Sequence, residues 1–166
     1  EETKGVEFNT SCRPNNKLEI KGGYQLLYAN DIDVKNRFED EDVYAKDAET
    51  LVSFKLGKND YVGLFNRTRH MENIKLFYQI TDKIAINSII TFRSKYALND
   101  SNGNNILDNY DEFIEGYTLC DIGVTHHTTS LRSIQLGVKN IFGFTNPEHI
   151  SNISGRLYYI NLKINF

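Results

Sequence analysis

The C-terminal segment alternates between apolar and polar positions. Counting back from the C-terminus, every second residue is apolar or aromatic: Phe166, Ile164, Leu162, Ile160 and Tyr158. The residues between them include Asn165, Lys163 and Asn161. A period of two places each set on its own face of a β-strand. This segment therefore predicts a strand with one apolar face and one polar face.

The same alternation occurs in six further segments of the chain. They cover approximately residues 6–11, 18–28, 73–80, 84–95, 120–125 and 134–139. Tyrosine and phenylalanine number 10 each and proline only 2, a composition that also favours strands. Together with the terminal segment, the pattern predicts seven antiparallel strands.

The connections between these strands alternate strictly in length. Short turns follow Cys12, Ile80 and Thr128, whereas the other connections are long, at about residues 31–70, 99–116 and 144–155. Transmembrane β-barrels have this arrangement, with short periplasmic turns and long extracellular loops. Aromatic residues near the predicted strand ends on the long-loop side fit a membrane-interface girdle: Tyr28, Tyr96, Tyr117 and Phe142. Ordinary core aromatics of a soluble sheet are the alternative interpretation.

Seven strands do not make a closed membrane barrel from one chain. Bacterial single-chain barrels have even numbers of strands, and an open sheet would leave two edges with unpaired backbone groups in lipid. The chain begins with Glu-Glu-Thr-Lys and has no recognisable signal peptide, which an outer-membrane protein needs. We therefore expect residues 1–166 to be the C-terminal segment of a larger all-β, antiparallel transmembrane barrel rather than a processed complete protein.

Composition and charge limit which other classes of protein the chain could belong to. The 166 residues are 40% hydrophobic and 25% charged, and mean hydropathy is −0.47. No apolar run approaches the roughly 20 residues of a membrane helix, but barrel strands alternate and keep mean hydropathy polar. The net charge of −3 argues against a general nucleic-acid partner. Cys12 and Cys120 fall at opposite ends of the predicted strands, so we expect two separate thiols.

Four ordered blocks of residues are specific enough to carry a family resemblance. They are Gly23-Tyr24-Gln25 with Tyr28-Ala29-Asn30-Asp31, Leu64-Phe65-Asn66-Arg67-Thr68-Arg69-His70, Gly137-Val138-Lys139-Asn140-Ile141-Phe142-Gly143, and Gly155-Arg156-Leu157-Tyr158-Tyr159. With the terminal Phe166, they resemble the C-terminal strands of TonB-dependent outer-membrane receptors. Two positions depart from the family pattern: Asn66 replaces the usual proline, and Gly143 replaces the usual aspartate.

The resemblance implies a barrel of about 22 strands with a plugged lumen. It implies a bacterial outer-membrane receptor that imports a scarce large nutrient (haem, cobalamin or a metal–siderophore) with energy coupled through TonB. The expected partners are membrane lipid, an N-terminal plug and earlier strands absent from this chain, TonB acting through the plug, and a small-molecule or metal-chelate ligand. Five polar residues are expected to face the lumen: Lys75, Arg93, Lys95, Gln135 and Lys139.

A twelve-residue window provides a candidate calcium loop. Oxygen-bearing residues occupy positions 1, 3, 5, 9 and 12, and position 7 would offer a backbone carbonyl, as in an EF-hand loop: Asp100, Asn102, Asn104, Asp108 and Asp111, with Ile106 at position 7. Position 6 is Asn105 instead of glycine, and position 12 is aspartate instead of a bidentate glutamate. The alternative is a turn-rich loop in which Asn and Asp bond their own backbone. Ca²⁺ is the only cofactor that the sequence suggests.

No residue set in the sequence points to catalysis. There is no Cys-x-x-Cys, P-loop, Gly-x-Ser-x-Gly or His-Glu-x-x-His motif, so we expect a transport protein rather than an enzyme, and no ligand-binding residue can be assigned. Two alternatives stay open. One is a passive outer-membrane porin, and the other is a soluble antiparallel β module that buries its apolar face and binds a ligand.

Overall fold

The computed structural model describes residues 1–40, 43–47, 50–129 and 131–164. Strands dominate it, joined by one α-helix and one short 3-10 helix (Lys58–Asp60). In chain order the other elements are β1 (Glu2–Asn15), β2 (Leu18–Asn30), α1 (Ile32–Glu39), β3 (Tyr44–Lys46), β4 (Ser53–Lys55), β5 (Tyr61–Gly63), β6 (His70–Gln79), β7 (Ile84–Arg93), β8 (Tyr96–Asn99), β9 (Leu107–Asp108), β10 (Glu112–Ile114), β11 (Tyr117–Thr129), β12 (Arg132–Lys139) and β13 (Leu157–Ile164).

The seven long strands form one antiparallel sheet in the order β1-β2-β6-β7-β11-β12-β13. Its register follows the alternation of the sequence: Ile90 of β7 lies opposite Ile74 of β6 and also opposite Cys120 of β11. Farther along the sheet, Val138 lies opposite both Ile122 and Tyr158. Apolar side chains of neighbouring strands therefore share a face. The prediction of about seven antiparallel strands is confirmed, and the sheet is not closed into a barrel within this chain.

Short turns join β1 to β2 and β6 to β7. The second turn lies where the sequence predicts it, whereas β1 continues through Asn15, beyond the turn predicted after Cys12. Between β1 and β2, the side-chain oxygen of Asn15 accepts hydrogen bonds from the backbone N–H groups of Lys17 and Leu18 at 2.9 and 3.0 Å. Between β6 and β7, the Thr81 hydroxyl accepts bonds from the N–H groups of Lys83 and Ile84 at 3.3 and 3.1 Å. These local bonds satisfy the turn backbone and fix which residues face each other in the adjoining strands.

The chain divides into two compact units. The sheet unit comprises Glu7–Tyr24, Met71–Arg93 and Tyr117–Phe166, and holds most of the long strands. The connection unit comprises Glu1–Val6, Gln25–His70 and Ser94–Gly116. Three strands, β1, β2 and β6, contribute residues to both units.

The connection unit has a hydrophobic core of its own, which the alternation pattern does not predict. Phe38, Val43, Ala45, Leu56 and Ile106 are each at most 4% exposed and pack together. The connection unit also contains α1 and three small two-stranded sheets, which pair β3 with β4, β5 with β9 and β8 with β10. The segments predicted as long loops are therefore folded.

Helix α1 begins where a short polar side chain can cap it. The Asp31 carboxylate accepts a hydrogen bond from the backbone N–H of Asp33 at 2.9 Å, as an N-cap residue does. No helix in the part of the chain that the structure describes is long and apolar enough to cross a membrane. Cys12 and Cys120 are both free thiols, in line with the prediction, and Phe166 lies outside the described residues.

Candidate functional site

The apolar face of the sheet unit is unusually exposed. Val124 of β11 lies opposite both Ile86 and Leu136, and Leu136 lies opposite Ile160 of β13, so these side chains form one continuous apolar surface. Ile160 is 68% exposed and Leu162 is 71% exposed. A contiguous apolar surface of this kind indicates contact with another apolar phase or partner rather than with water.

The opposite face of the same sheet is polar and internally hydrogen-bonded. Gln135 Nε2 donates to Asn87 Oδ1 at 2.9 Å, and Asn161 Nδ2 donates to Gln135 Oε1 at 3.2 Å. This chain of amides connects β7, β12 and β13. The strand register places three cations on the same face: Lys75, Arg93 and Lys139. Four of the five side chains expected in the lumen therefore share one polar face.

Asp100 of the candidate calcium loop is surrounded by backbone donors. Its carboxylate accepts hydrogen bonds from the N–H groups of Asn102, Gly103 and Asn105 at 3.2, 2.7 and 2.7 Å. Asn105 has a φ of 58°, the left-handed conformation that position 6 of an EF-hand loop requires. The loop therefore turns sharply around Asp100, with its N–H groups pointing inward.

Asp108 and Asp111 are also satisfied within this loop. The Asp108 carboxylate is fully buried and accepts bonds from Asn102 Nδ2 and Asn104 Nδ2, both at 3.0 Å, and from the N–H of Tyr110 at 2.8 Å. Asp111 accepts bonds from the N–H groups of Ser101 and Asp108, both at 2.8 Å. The buried carboxylates therefore stabilise the loop by binding its own donors.

The remaining predicted ligands serve the same local network. The side-chain oxygens of Asn102 and Asn104 accept bonds from the N–H groups of Asn104 and Ile106 at 3.2 and 2.8 Å, and Ile106 itself is buried in the core of the connection unit. No three Asp, Glu, His or Cys side chains are arranged to hold a metal ion within the described ranges. Ca²⁺ binding by this loop stays a prediction.

The surroundings of Asp111 raise the pKa of its carboxyl group. Burial raises the pKa of this carboxyl above its usual range, and this effect outweighs the hydrogen bonds from the Asp108 and Ser101 N–H groups, which lower the pKa. The nearby charges of Asp108 and Asp100 raise the pKa further. The three carboxyl groups therefore repel one another while they hold the loop together.

The connection unit contains a cleft of about 470 Å³. Three cationic side chains and three aromatic side chains line it: Arg67, Arg69, Lys95, Tyr28, Tyr96 and Phe113. No Asp or Glu is among the described residues that line it. The cleft is therefore positively charged and partly aromatic, and its volume falls in the range of small-molecule sites.

Two of the cations are positioned by aromatic rings. The Arg69 guanidinium carbon lies 4.9 Å from the ring centroid of Tyr28, and Lys95 Nζ lies 4.7 Å from that of Phe113. Lys95 also pairs with the exposed Glu115 at 3.1 Å. The alternation places Lys95 on the same strand as Arg93, but β7 ends at Arg93 and Lys95 belongs to the connection unit. A position of Lys95 in the lumen stays a prediction.

Sequence reasoning missed this cleft as a binding site. It recognised Arg67, Arg69 and His70 as part of a family-like block but gave them no role. The available signal for a binding site was the pair of basic residues Arg67 and Arg69 just before β6. The other half of the cleft, which includes Lys95 and Phe113, comes from a segment distant in sequence and is brought close only by folding.

The chain matches known proteins by structure and not by sequence. No protein-family model and no curated protein matches the sequence. The ferric enterobactin receptor PfeA from Pseudomonas aeruginosa, an R480A mutant in complex with enterobactin, superposes with a TM-score of 0.64 at 15% identity. The match covers 99% of this chain and 22% of the receptor.

Two further receptors give similar results. The ferric-catecholate import receptor Fiu from Escherichia coli K12, in its closed form, has a TM-score of 0.64 at 15% identity, covering 99% of this chain and 21% of that one. The siderophore receptor PiuA from Acinetobacter baumannii has a TM-score of 0.58 at 12% identity, covering 86% and 18%. The chain has the fold of a siderophore-receptor segment. The predicted β-barrel segment is thus confirmed at the level of the fold, and the matched proteins are receptors, not enzymes.

Proposed function

We propose that the chain is the C-terminal barrel segment of a bacterial outer-membrane receptor that imports an iron–siderophore complex. The observation that carries this proposal is the two-faced antiparallel sheet, whose fold matches siderophore receptors over 99% of the chain. The chain spans 22% of the length of the first of these receptors. The plug, the remaining strands and the coupling to TonB therefore belong to the proposed whole protein.

The exposed apolar face supports an outer-membrane location. Lipid tails would cover side chains such as Leu162 and Ile160, which are mostly exposed. The polar face, with its amide chain and cations, would then line the lumen and contact the plug. A soluble ligand-binding module would have to bury the same apolar face in a core, and it is not buried within the described residues. No observation on those residues favours a passive porin.

Active and passive transport are separated by their dependence on TonB. We would express the full-length protein that contains this chain in a strain that lacks its own iron–siderophore receptors, and measure uptake of ⁵⁵Fe-loaded siderophores. We expect fractionation with the outer membrane and uptake that requires TonB. Equal uptake without TonB would favour a passive porin, and recovery in the soluble fraction would contradict the proposal. Parallel assays with haem and cobalamin test the other nutrient classes that the sequence suggested.

A further inference from the structure

We propose that Asn102 is a self-modification site, at which the backbone nitrogen of Gly103 attacks the side-chain amide of Asn102 and converts it to aspartate or isoaspartate. Asn102 is the only asparagine among the 166 residues that glycine follows. Because glycine has no side chain, its backbone nitrogen is the least hindered nucleophile that a following residue can offer. This modification does not depend on what the protein transports.

The side chain of Asn102 is turned toward Gly103. Its Oδ1 accepts a hydrogen bond from the backbone N–H of Asn104 at 3.2 Å. The ring of atoms closed by this bond contains both the side-chain carbonyl carbon of Asn102 and the backbone nitrogen of Gly103, so electrophile and nucleophile belong to one tight turn. The N–H of Asn104 also faces the oxygen on which negative charge develops during the attack, as an oxyanion donor does.

A carboxylate lies next to the nucleophile. Asp100 Oδ1 accepts a hydrogen bond from the backbone N–H of Gly103 at 2.7 Å. An oxygen at this distance can take the proton while the new bond forms, which is the role of a general base. The N–H groups of Asn102 and Asn105 bond to the same carboxylate at 3.2 and 2.7 Å, and they fix its position.

The reaction needs only water besides the chain itself. The nitrogen of Gly103 forms a bond to Cγ of Asn102, the bond from Cγ to Nδ2 breaks, and ammonia leaves with the proton that Asp100 passes on. Water then opens the resulting cyclic imide at either carbonyl group and gives aspartate or isoaspartate. Gly103 is exposed, and a Cβ atom added to it would meet no atom within 4 Å, so water can reach the imide.

The product changes the charge next to a buried carboxylate. Asn102 Nδ2 donates to Asp108 Oδ2 at 3.0 Å, and Asp108 is fully buried. After the reaction a carboxylate replaces this donor, so two negative groups face each other where a hydrogen bond existed. The same loop contributes Ile106 to the core of the connection unit. Deamidation is therefore an irreversible charge switch that loosens the 100–111 loop.

The rate of conversion in folded and unfolded protein tests the assisted attack. The full-length protein that contains this chain would be kept at neutral pH, folded in detergent or unfolded in urea, and then digested for mass spectrometry and an isoaspartate assay. We expect Asn102 to convert before any other asparagine, and about ten-fold faster in the folded protein, because a positioned base and a positioned donor both accelerate acyl transfer. An equal or slower rate in the folded protein would overturn the proposal.

A variant then assigns the role of the base. Asp100→Asn keeps an oxygen acceptor but cannot take the proton, so we expect the rate at Asn102 to fall to that of the unfolded protein. The matched control Asp82→Asn alters an exposed carboxyl outside the loop and should leave the rate unchanged. Hydrogen exchange at the Asn104 amide reports whether the turn persists in Asp100→Asn. If the turn is lost, the comparison of folded and unfolded parent protein decides.

The charge switch has its own measurement. Asn102→Asp carries the product charge, and we expect hydrogen-exchange protection of the amides from 104 to 108 to fall about ten-fold or more. The control Asn16→Asp adds the same charge at an exposed position in the turn between β1 and β2 and should leave this protection unchanged. If Asn102→Asp does not fold, aged parent protein with Asn102 converted replaces it. Unchanged protection would mean that the modification does not loosen the loop.

Discussion

The aromatic ring of Tyr159 on β13 lies against Gly137, its opposite residue on β12. A Cβ atom added to Gly137 would collide with the Tyr159 ring, and one added to Gly123 on β11 would lie 2.8 Å from the Tyr159 hydroxyl. The two glycines thus leave a gap on the polar face that the tyrosine fills. Because an aromatic ring over strand glycines helps to fix register, Tyr159 holds β13 in alignment with β12.

The replacement Gly137→Ala should displace this ring. The added methyl group has no space, so either Tyr159 changes rotamer or the strands separate, and overpacking of this kind costs about 1–3 kcal/mol. We expect a lower urea midpoint for unfolding of the full-length protein in detergent.

A glycine with free space is the control for this effect. At Gly155 the nearest atom to an added Cβ is Thr145 Cγ2 at 3.5 Å, an ordinary van der Waals distance. Gly155→Ala should therefore leave the midpoint nearly unchanged. If both variants lose the same stability, the loss comes from glycine replacement in general, and the contact of Tyr159 with Gly137 is not responsible.

In the family-like block at the end of β12, the side chain of Asn140 is buried and bonded to the connection that follows. It is 5% exposed and has a φ of 49°. Its Nδ2 donates to the carbonyls of Phe144 and Ser154 at 2.7 and 2.9 Å, and its Oδ1 accepts from the Phe144 N–H at 3.1 Å. Arg156 donates to the Ile141 carbonyl at 3.0 and 2.7 Å in the same segment. These hydrogen bonds therefore hold the connection between β12 and β13 in its folded conformation.

The replacement Asn140→Asp should open this connection. It keeps the size and the tolerance for positive φ but removes both donors, and it places a carboxylate against two carbonyl oxygens. Leaving a buried group unsatisfied costs about 1–3 kcal/mol, and more when the group is charged. We expect faster proteolytic cleavage between residues 141 and 156 in the folded protein.

The exposed Asn59 provides a matched comparison. Asn59→Asp adds the same charge at an exposed position whose side chain makes no hydrogen bond or ion pair with the described residues. A protease should cleave the Asn59→Asp variant at the same rate as the parent protein. Unchanged cleavage of Asn140→Asp would mean that the amide does not hold the connection together.

The long strands could be predicted because each of them shows the alternation of apolar and polar residues within its own segment. Ile74 and Ile90 fall on the apolar face in the predicted phase, and the turn at 81–83 lies where its residues indicate. The departures from the family pattern also have local causes. Asn66 has a φ of 58° and donates its N–H to the Ala97 carbonyl at 2.9 Å, neither of which a proline could do. Gly143 has a φ of 69°, which suits glycine.

The connection unit could not be predicted in the same way. Strands of two to four residues, such as β9, are too short to show a period. Its core joins Phe38 to Ile106, which are far apart in the sequence, and the cleft joins Arg69 to Lys95. Such pairs depend on how the connections fold together. The local signals for α1 are the capping residue Asp31, the acidic Asp33 in the first turn and the basic Arg37 in the last turn.

The stability of the 100–111 loop should depend on pH through Asp111. Its pKa is raised above the usual value of 3.8, chiefly by burial. A carboxyl with a raised pKa in the folded state stabilises that state fully below pH 3.8, and this contribution is lost as pH rises through the raised value. We expect protection of the Ser101 amide in hydrogen exchange, corrected for the intrinsic rate, to fall over this range.

Asp111→Asn should remove this dependence, since the asparagine keeps an acceptor but does not titrate. The control Asp82→Asn alters an exposed carboxyl in the turn between β6 and β7 and should preserve the dependence. A pH profile that persists in Asp111→Asn would assign the titration to a different group.

Calcium binding by the same loop is the prediction that the structure constrains most. The predicted ligand oxygens already accept hydrogen bonds, and the two amide groups that point at Asp108 would have to turn their oxygens toward a cation. Binding should therefore be weak, in the range of about 10⁻⁴–10⁻³ M that extracellular calcium modules show. Calorimetry of the full-length protein should detect it at millimolar Ca²⁺. Asp108→Asn should abolish the heat because it removes a buried charge at the centre of the loop, whereas Asp82→Asn should not. If the parent protein gives no heat, the carboxylates serve only to bind the N–H groups of their own loop.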